Sequence, residues 1–158
     1  MITIARLIAT FFYVGYVPRA PGTAGALVAL PLAWFVWMLP SYLAWGIIAV
    51  LFVLGTWSAQ IVINHTGRED DQTIVMDEVV GILVTMSVAT HLWWQYALGF
   101  LIFRMFDILK PGPIGLVDAK VKGGFGAMAD DFVASLMAAA TLYLVLLFSA
   151  RMVAPIGV

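Results

Sequence analysis

VVGILVTMSVATHLWWQYALGFLIF, residues Val79 to Phe103, is an apolar stretch with one polar and aromatic knot in its middle. As a single helix it would be long enough to cross a bilayer, and His91, Trp93, Trp94, Gln95 and Tyr96 would then lie mid-membrane. Such side chains belong at the headgroup level, where their rings meet hydrocarbon and their polar atoms stay wet. The stretch therefore predicts a hairpin of two helices meeting near Thr90–Trp94. Each half is short unless it begins in its flanking residues, from Ile74 onward or as far as Lys110.

Composition makes lipid the relevant solvent. The 158 residues are 63% hydrophobic and 11% charged, against about 25% charged in ordinary globular domains. Mean hydropathy is +1.03, more apolar surface than a compact core of this length could hide from water. The net charge of −1 shows no basic excess that would suit nucleic acid. With no cysteine, disulfides, thiolate metal sites and cysteine nucleophiles are all excluded.

Outward from the hairpin, Ala24–Leu39 is a span candidate of about 24 Å as a helix. Tyr42–Ile63 is a second, after a turn at Pro40–Ser41, and Phe132–Ala150 is the last. The N-terminal run MITIARLIATFFYVGYVP has one Arg6 and no convincing cleavage site, so it is read as a retained interfacial or re-entrant segment. The expectation is an all-α, polytopic membrane bundle of about five spans, some short or re-entrant, forming one domain over residues 1–158. Five spans put Tyr16–Gly25, Asn64–Glu78 and Arg104–Asp131 on one side. With Arg6, these hold seven of the eight Lys/Arg, which assigns that side to the cytoplasm. All nine acidic residues fall there too.

Four clusters reach that face. PRAPGTAGAL (Pro18–Leu27) reads either as a helix start capped by Thr23 or as a loop whose N–H groups and Thr23 hydroxyl hold a phosphate. In DDQTIVMDEVVG (Asp70–Gly81), Asp77 and Glu78 project about 100° apart, so one helix cap cannot explain both. In FRMFDILKPGPIG (Phe103–Gly115), Arg104, Asp107 and Lys110 recur every three residues and share a helical face. The bland reading is an ion-pair ladder; the alternative is two cations for phosphate oxygens and a carboxylate for a metal or water. In DAKVKGGFGAMADD (Asp118–Asp131), Asp130 and Asp131 repeat the doublet pattern at the head of the last span. One of them could cap that helix and the other could bind a metal.

Converging carboxylates repel unless a metal joins them, and an all-oxygen set suits Mg²⁺ rather than zinc. Mg²⁺ with Arg and Lys is equipment for stabilising a transferring phosphoryl group. Asp77, Glu78, Asp107, Asp130 and Asp131 are the candidate metal ligands, with Asp77, Glu78, Asp107 and Asp131 the candidates for chemistry. Arg104 and Lys110 would balance phosphate charge, and Gly22, Thr23 and Gly25 would position the group. A cation channel or transporter with a carboxylate-lined path is the rival from another class. Against it, no charge falls mid-span.

The order of the four clusters, PRAPGTAGAL, IVMDEVVG, FRMFDILKPGPI and GGFGAMADDFVA, resembles the phosphatidylglycerophosphatase A family over nearly the whole chain. The resemblance implies a Mg²⁺-dependent lipid phosphatase of phospholipid biosynthesis that converts phosphatidylglycerophosphate to phosphatidylglycerol and phosphate. It places such a multi-pass enzyme in the bacterial inner membrane, facing the cytoplasm. By motif it adds Asp70 and Asp118 as secondary candidates and leaves His65, Glu69, Asp71 and Lys122 outside the core. Ala26 stands where a serine is frequent, a departure that matters only if that hydroxyl holds phosphate. A CDP-alcohol phosphotransferase is a further rival, but its extended Asp-Gly…Ala-Arg…Gly…Asp…Asp pattern is missing.

Overall fold

The computed structural model describes residues 1–153; the tail counted with the single domain, residues 154–158, lies outside the described residues. Seven helices and two 3-10 turns follow one another, and there is no strand among the described residues. The helices are α1 (Ile2–Ala9), α2 (Pro21–Val36), α3 (Ser41–Thr66), α4 (Met76–Thr85), α5 (Trp93–Leu109), α6 (Pro113–Lys120) and α7 (Gly123–Val153).

The stretch that decides the fold is a hairpin. α4 runs into a 3-10 turn at Met86–Val88, residues 89–92 reverse the chain, and α5 begins at Trp93. His91 takes a positive φ of 55°. Gln95 closes the turn by accepting hydrogen bonds from the Thr90 N–H (2.5 Å) and hydroxyl (3.1 Å). His91 Nε2 lies 3.2 Å from the Trp34 carbonyl, while Trp93 stays 78% exposed. Rings thus crowd this end of the bundle, as an interfacial position requires.

α4 is the centre of the bundle. Every residue from Val79 to Met86 is buried, so this helix has no polar face, and α2, α3, α5 and α7 surround it. Small residues let the neighbours approach: Gly25, Ala26, Ala29 and Ala33 form the buried side of α2, and Ala134 and Ala138 do the same on α7. The Trp37 indole also donates to the Leu83 carbonyl at 2.8 Å. A second, smaller core joins Ala9 of α1 to Ala59, Val62 and Ile63 of α3.

Two helices, α3 and α7, are long and apolar enough to cross a membrane, and α2 is a shorter apolar helix. With its 3-10 turn, α4 covers roughly 20 Å, less than the hydrocarbon core of about 30 Å. It is enclosed by protein rather than facing lipid.

The sequence expectation misplaced two helix starts. α7 begins at Gly123, not near Phe132, so Asp130 and Asp131 lie in the helix interior and neither caps it. Gly123 takes a φ of +73°, and the Gly124 N–H donates to Gln60 Oε1 of α3 at 2.8 Å, which supplies the missing acceptor. α2 begins at Pro21, with Ala20 at its cap in a left-handed conformation, so Thr23 lies inside the first turn and is not the cap.

Candidate active site

One cavity of about 490 Å³ opens where the starts of α2, α4 and α7 meet the end of α5 and the α5–α6 turn. All nine acidic residues of the chain line it, against the cations Arg104, Lys110 and Lys122, an excess of six formal negative charges. A phosphate, itself an anion, could enter such a cavity only with cations to offset that field.

Its floor is built by α4 and α7. Asp77, Glu78 and Asp131 each turn a carboxylate oxygen inward so that the three atoms lie within 4.8 Å of one another. Asp131 is only 4% exposed. Asp77 Oδ1 accepts the Glu78 N–H at 3.0 Å, and Glu78 Oε2 is buried without a hydrogen-bond partner. Three carboxylates at this spacing, one buried and two partly buried, repel one another strongly. An oxygen-only set with an unused inward lone pair fits a hard divalent cation such as Mg²⁺.

Arg104 and Asp107 on α5 flank that floor. Arg104 Nη1 donates to Asp107 Oδ2 and lies 3.5 Å from Glu78 Oε1, while its Nε is buried and unpartnered. Asp107 stands close enough for its charge to bear on both Glu78 and Asp131.

Asp130 belongs to a different group. Its Oδ2 accepts from Lys110 Nζ at 2.7 Å, and Lys110 also donates to Asp118 at 2.5 Å. Lys110 ends α5 in a left-handed conformation, which aims it at both carboxylates. Burial works to lower the Lys110 pKa, but the bonds to Asp118 and Asp130 outweigh it and raise the ammonium above its ordinary range. The Lys110 ammonium in turn holds the Asp118 carboxyl below its usual value. The Arg104–Asp107–Lys110 repeat is thus a ladder for one rung only: Arg104 pairs with Asp107 within α5, whereas Lys110 bonds across to α6 and α7.

The first motif contributes backbone. Pro21 and Gly22 line the cavity, and Ala24 is the first residue of α2 whose N–H finds a helical carbonyl, that of Ala20. The N–H groups of Gly22 and Thr23 are therefore left over at the helix start, and that of Gly22 belongs to a residue lining the acidic cavity. Thr23 and Gly25 do not line the cavity; a Cβ on Gly25 would meet the Val75 side chain at 2.8 Å, so Gly25 serves packing. Ala26 is fully buried in the apolar core, so a hydroxyl there would not face the cavity.

Asp70 lies on the exposed rim, beside Glu69, Asp71 and Gln72. Asp71, left outside the expected core, orders that rim by accepting from the Thr73 N–H (3.1 Å) and hydroxyl (2.7 Å). Gln60 went unnoticed in sequence; its signal was an amide inside the apolar run of α3, one turn before Asn64.

The chain matches the family model for phosphatidylglycerophosphatase A over residues 7–146. A phosphatidylglycerophosphatase A from Escherichia coli is 37% identical over 145 residues, 89% of this chain and 82% of that one. One from Haemophilus influenzae is 36% identical over 140 residues, covering 87% and 86%. A relative from Bacteroides thetaiotaomicron, 38% identical over 137 residues and covering 81% and 84%, is provisionally named a phosphatidylinositol-3-phosphatase. No solved structure matches the chain.

Proposed function

This chain belongs to the phosphatidylglycerophosphatase A family, and from that premise we propose that it is a Mg²⁺-dependent lipid phosphatase. Its substrate is phosphatidylglycerophosphate, and its products are phosphatidylglycerol and inorganic phosphate. The bundle lies in the bacterial inner membrane with about five crossings, α1 at the interface and the cavity open to the cytoplasm.

The observation that carries this reading is the trio Asp77, Glu78 and Asp131, within 4.8 Å and with a lone pair of Glu78 unused. Together they would hold Mg²⁺, with Asp107 beside them. Bound there, Mg²⁺ supplies a polarised phosphoryl oxygen and a water acidic enough to attack at neutral pH.

The chain's own residues do the rest. The Gly22 N–H orients the phosphate at the start of α2. Arg104 fixes Glu78 and Asp107 through Nη1 and keeps Nε as a donor for developing negative charge. Asp107 accepts the proton of the attacking water, which adds to phosphorus as the bond to the glycerol oxygen breaks, and passes that proton on to the leaving glycerol oxygen. Lys110 locks Asp130 and Asp118 and so joins α5, α6 and α7 around the cavity.

The channel reading loses support beneath the floor. Val79, Val80, Ile82, Leu83, Val84 and Phe103 are all buried and apolar, so no polar path continues along α4. The test is phosphate release from phosphatidylglycerophosphate by purified protein with and without Mg²⁺. A phosphatidylinositol 3-phosphate arm addresses the activity named for the Bacteroides relative. No Mg²⁺-dependent release from either lipid would sink the enzyme reading.

A further inference from the structure

A second cavity adjoins the first and is of opposite character. It encloses about 590 Å³ between α3 and α7, within the range of small-molecule sites, and every residue lining it is apolar. Trp45, Ile48 and Phe52 form the α3 wall; Phe125 and Phe132 form the α7 wall. Phe52 packs edge-on against both phenylalanines, with ring centroids 6.0 Å and 5.5 Å apart.

Val121 joins the two cavities, because it lines both. It ends α6 and stands two residues before Gly123, so one side of the α6–α7 turn faces carboxylates and the other faces phenylalanines. From that turn the apolar groove follows α3 toward Trp45, about 12 Å along the helix from Val53. Its rim is open sideways: Trp45, Val53 and Phe125 are 41%, 65% and 53% exposed.

We infer that this groove holds an acyl chain of the lipid whose phosphate occupies the acidic cavity. The inference rests on the lipid-phosphatase reading and adds where the substrate's apolar half lies. An amphiphile with a phosphate at one end needs a polar and an apolar site that touch, and the two cavities meet at Val121. The open rim between α3 and α7 lets the lipid enter from the bilayer without lifting its tail through water. α6, with Val117 on the groove and Asp118 on the acidic side, separates tail from headgroup.

The test compares kcat/KM for long-chain phosphatidylglycerophosphate with that for its deacylated headgroup, glycerophosphoglycerophosphate. Ala49→Trp and Val53→Trp put a ring into the groove from the exposed side of α3, and Leu101→Trp on lipid-facing α5 is the control. Both groove variants should lower the preference for the acylated substrate about tenfold, the loss of roughly two buried methylenes, mainly through KM. The control should keep the wild-type preference. An unchanged preference in both groove variants, or an equal fall in the control, overturns the groove while leaving the phosphatase reading intact. Failure of the wild type to release phosphate from either substrate retires the phosphatase reading itself. Independently of any variant, a substrate carrying a diazirine on its acyl chain should crosslink to residues 45–53 or 121–133. Crosslinks confined to other lipid-facing residues overturn the assignment.

Discussion

The backbone of Gly22 lies directly against the Glu78 carboxylate, so a Cβ at residue 22 would clash with Glu78 Oε1. The start of α2 and the start of α4 are thereby packed together, and the Glu78 carboxylate is accommodated by the absence of a side chain at residue 22. Gly22→Ala should displace Glu78 while costing little stability, because the atom that must move is the free end of a flexible chain. A misplacement of about 1 Å in such a site can cost roughly 100-fold in rate. We expect kcat to fall at least tenfold with Tm close to wild type; full activity in Gly22→Ala would show that Glu78 need not be held there.

Mg²⁺ should stabilise the folded protein, since it relieves repulsion among Asp77, Glu78 and Asp131 that the unfolded chain does not have. At about 100 times its Kd the gain is roughly 2.7 kcal/mol. Thermal unfolding in detergent should shift upward with Mg²⁺, return with a chelator, and lose most of its response in Asp131→Asn. An identical shift in that variant would place the cation elsewhere.

Much of this site was legible in sequence because charge is rare in the chain. Nine acids in an apolar chain have few places to go, and their clustering by motif foretold a single acidic cavity. The 79–103 hairpin was legible for a related reason: His91 and the tryptophans could not be left mid-membrane. The start of α7 was not legible, since GGFGA reads as a loop by propensity. What makes it helical is tertiary: Gly124 packs on the α3 backbone and Gln60 accepts its N–H. Thr23 was misread for the opposite reason. A hydroxyl after a Gly/Pro turn looks like a cap, but Pro21 already fits the first helical position and moves the start three residues earlier.

Gln60→Leu tests that tertiary cap. It leaves the buried Gly124 N–H without its acceptor, a loss of about 1–3 kcal/mol. Tm should fall accordingly, and activity should fall with it as the α7 turns carrying Asp130 and Asp131 loosen. An unchanged Tm would mean that packing of Gly124 on α3 suffices to start the helix.

Sidedness can be read with one probe, because the chain has no cysteine of its own. Gln72 is exposed on the rim of the acidic cavity. Gln72→Cys should resist an impermeant thiol reagent added to intact cells and react once the cytoplasmic face is opened. Labelling from outside would reverse the orientation assigned from the Lys/Arg distribution.

Asp130 and Asp131 are neighbours on α7 with different partners, and the two substitutions should separate. Asp131 faces Asp77 and Glu78, whereas Asp130 faces Lys110. Asp131→Asn removes a charge from the trio, so turnover should drop by 100-fold or more and the Mg²⁺ concentration for half-maximal rate should rise. Asp130→Asn leaves Lys110 still bonded to Asp118, so its effect should stay within the roughly 10–100-fold typical of groups that orient a metal site. Its Mg²⁺ dependence should shift less than that of Asp131→Asn. Equal shifts in Mg²⁺ requirement would mean that Asp130 leaves Lys110 to join the ion, making the Lys110 pair a resting arrangement rather than the working one.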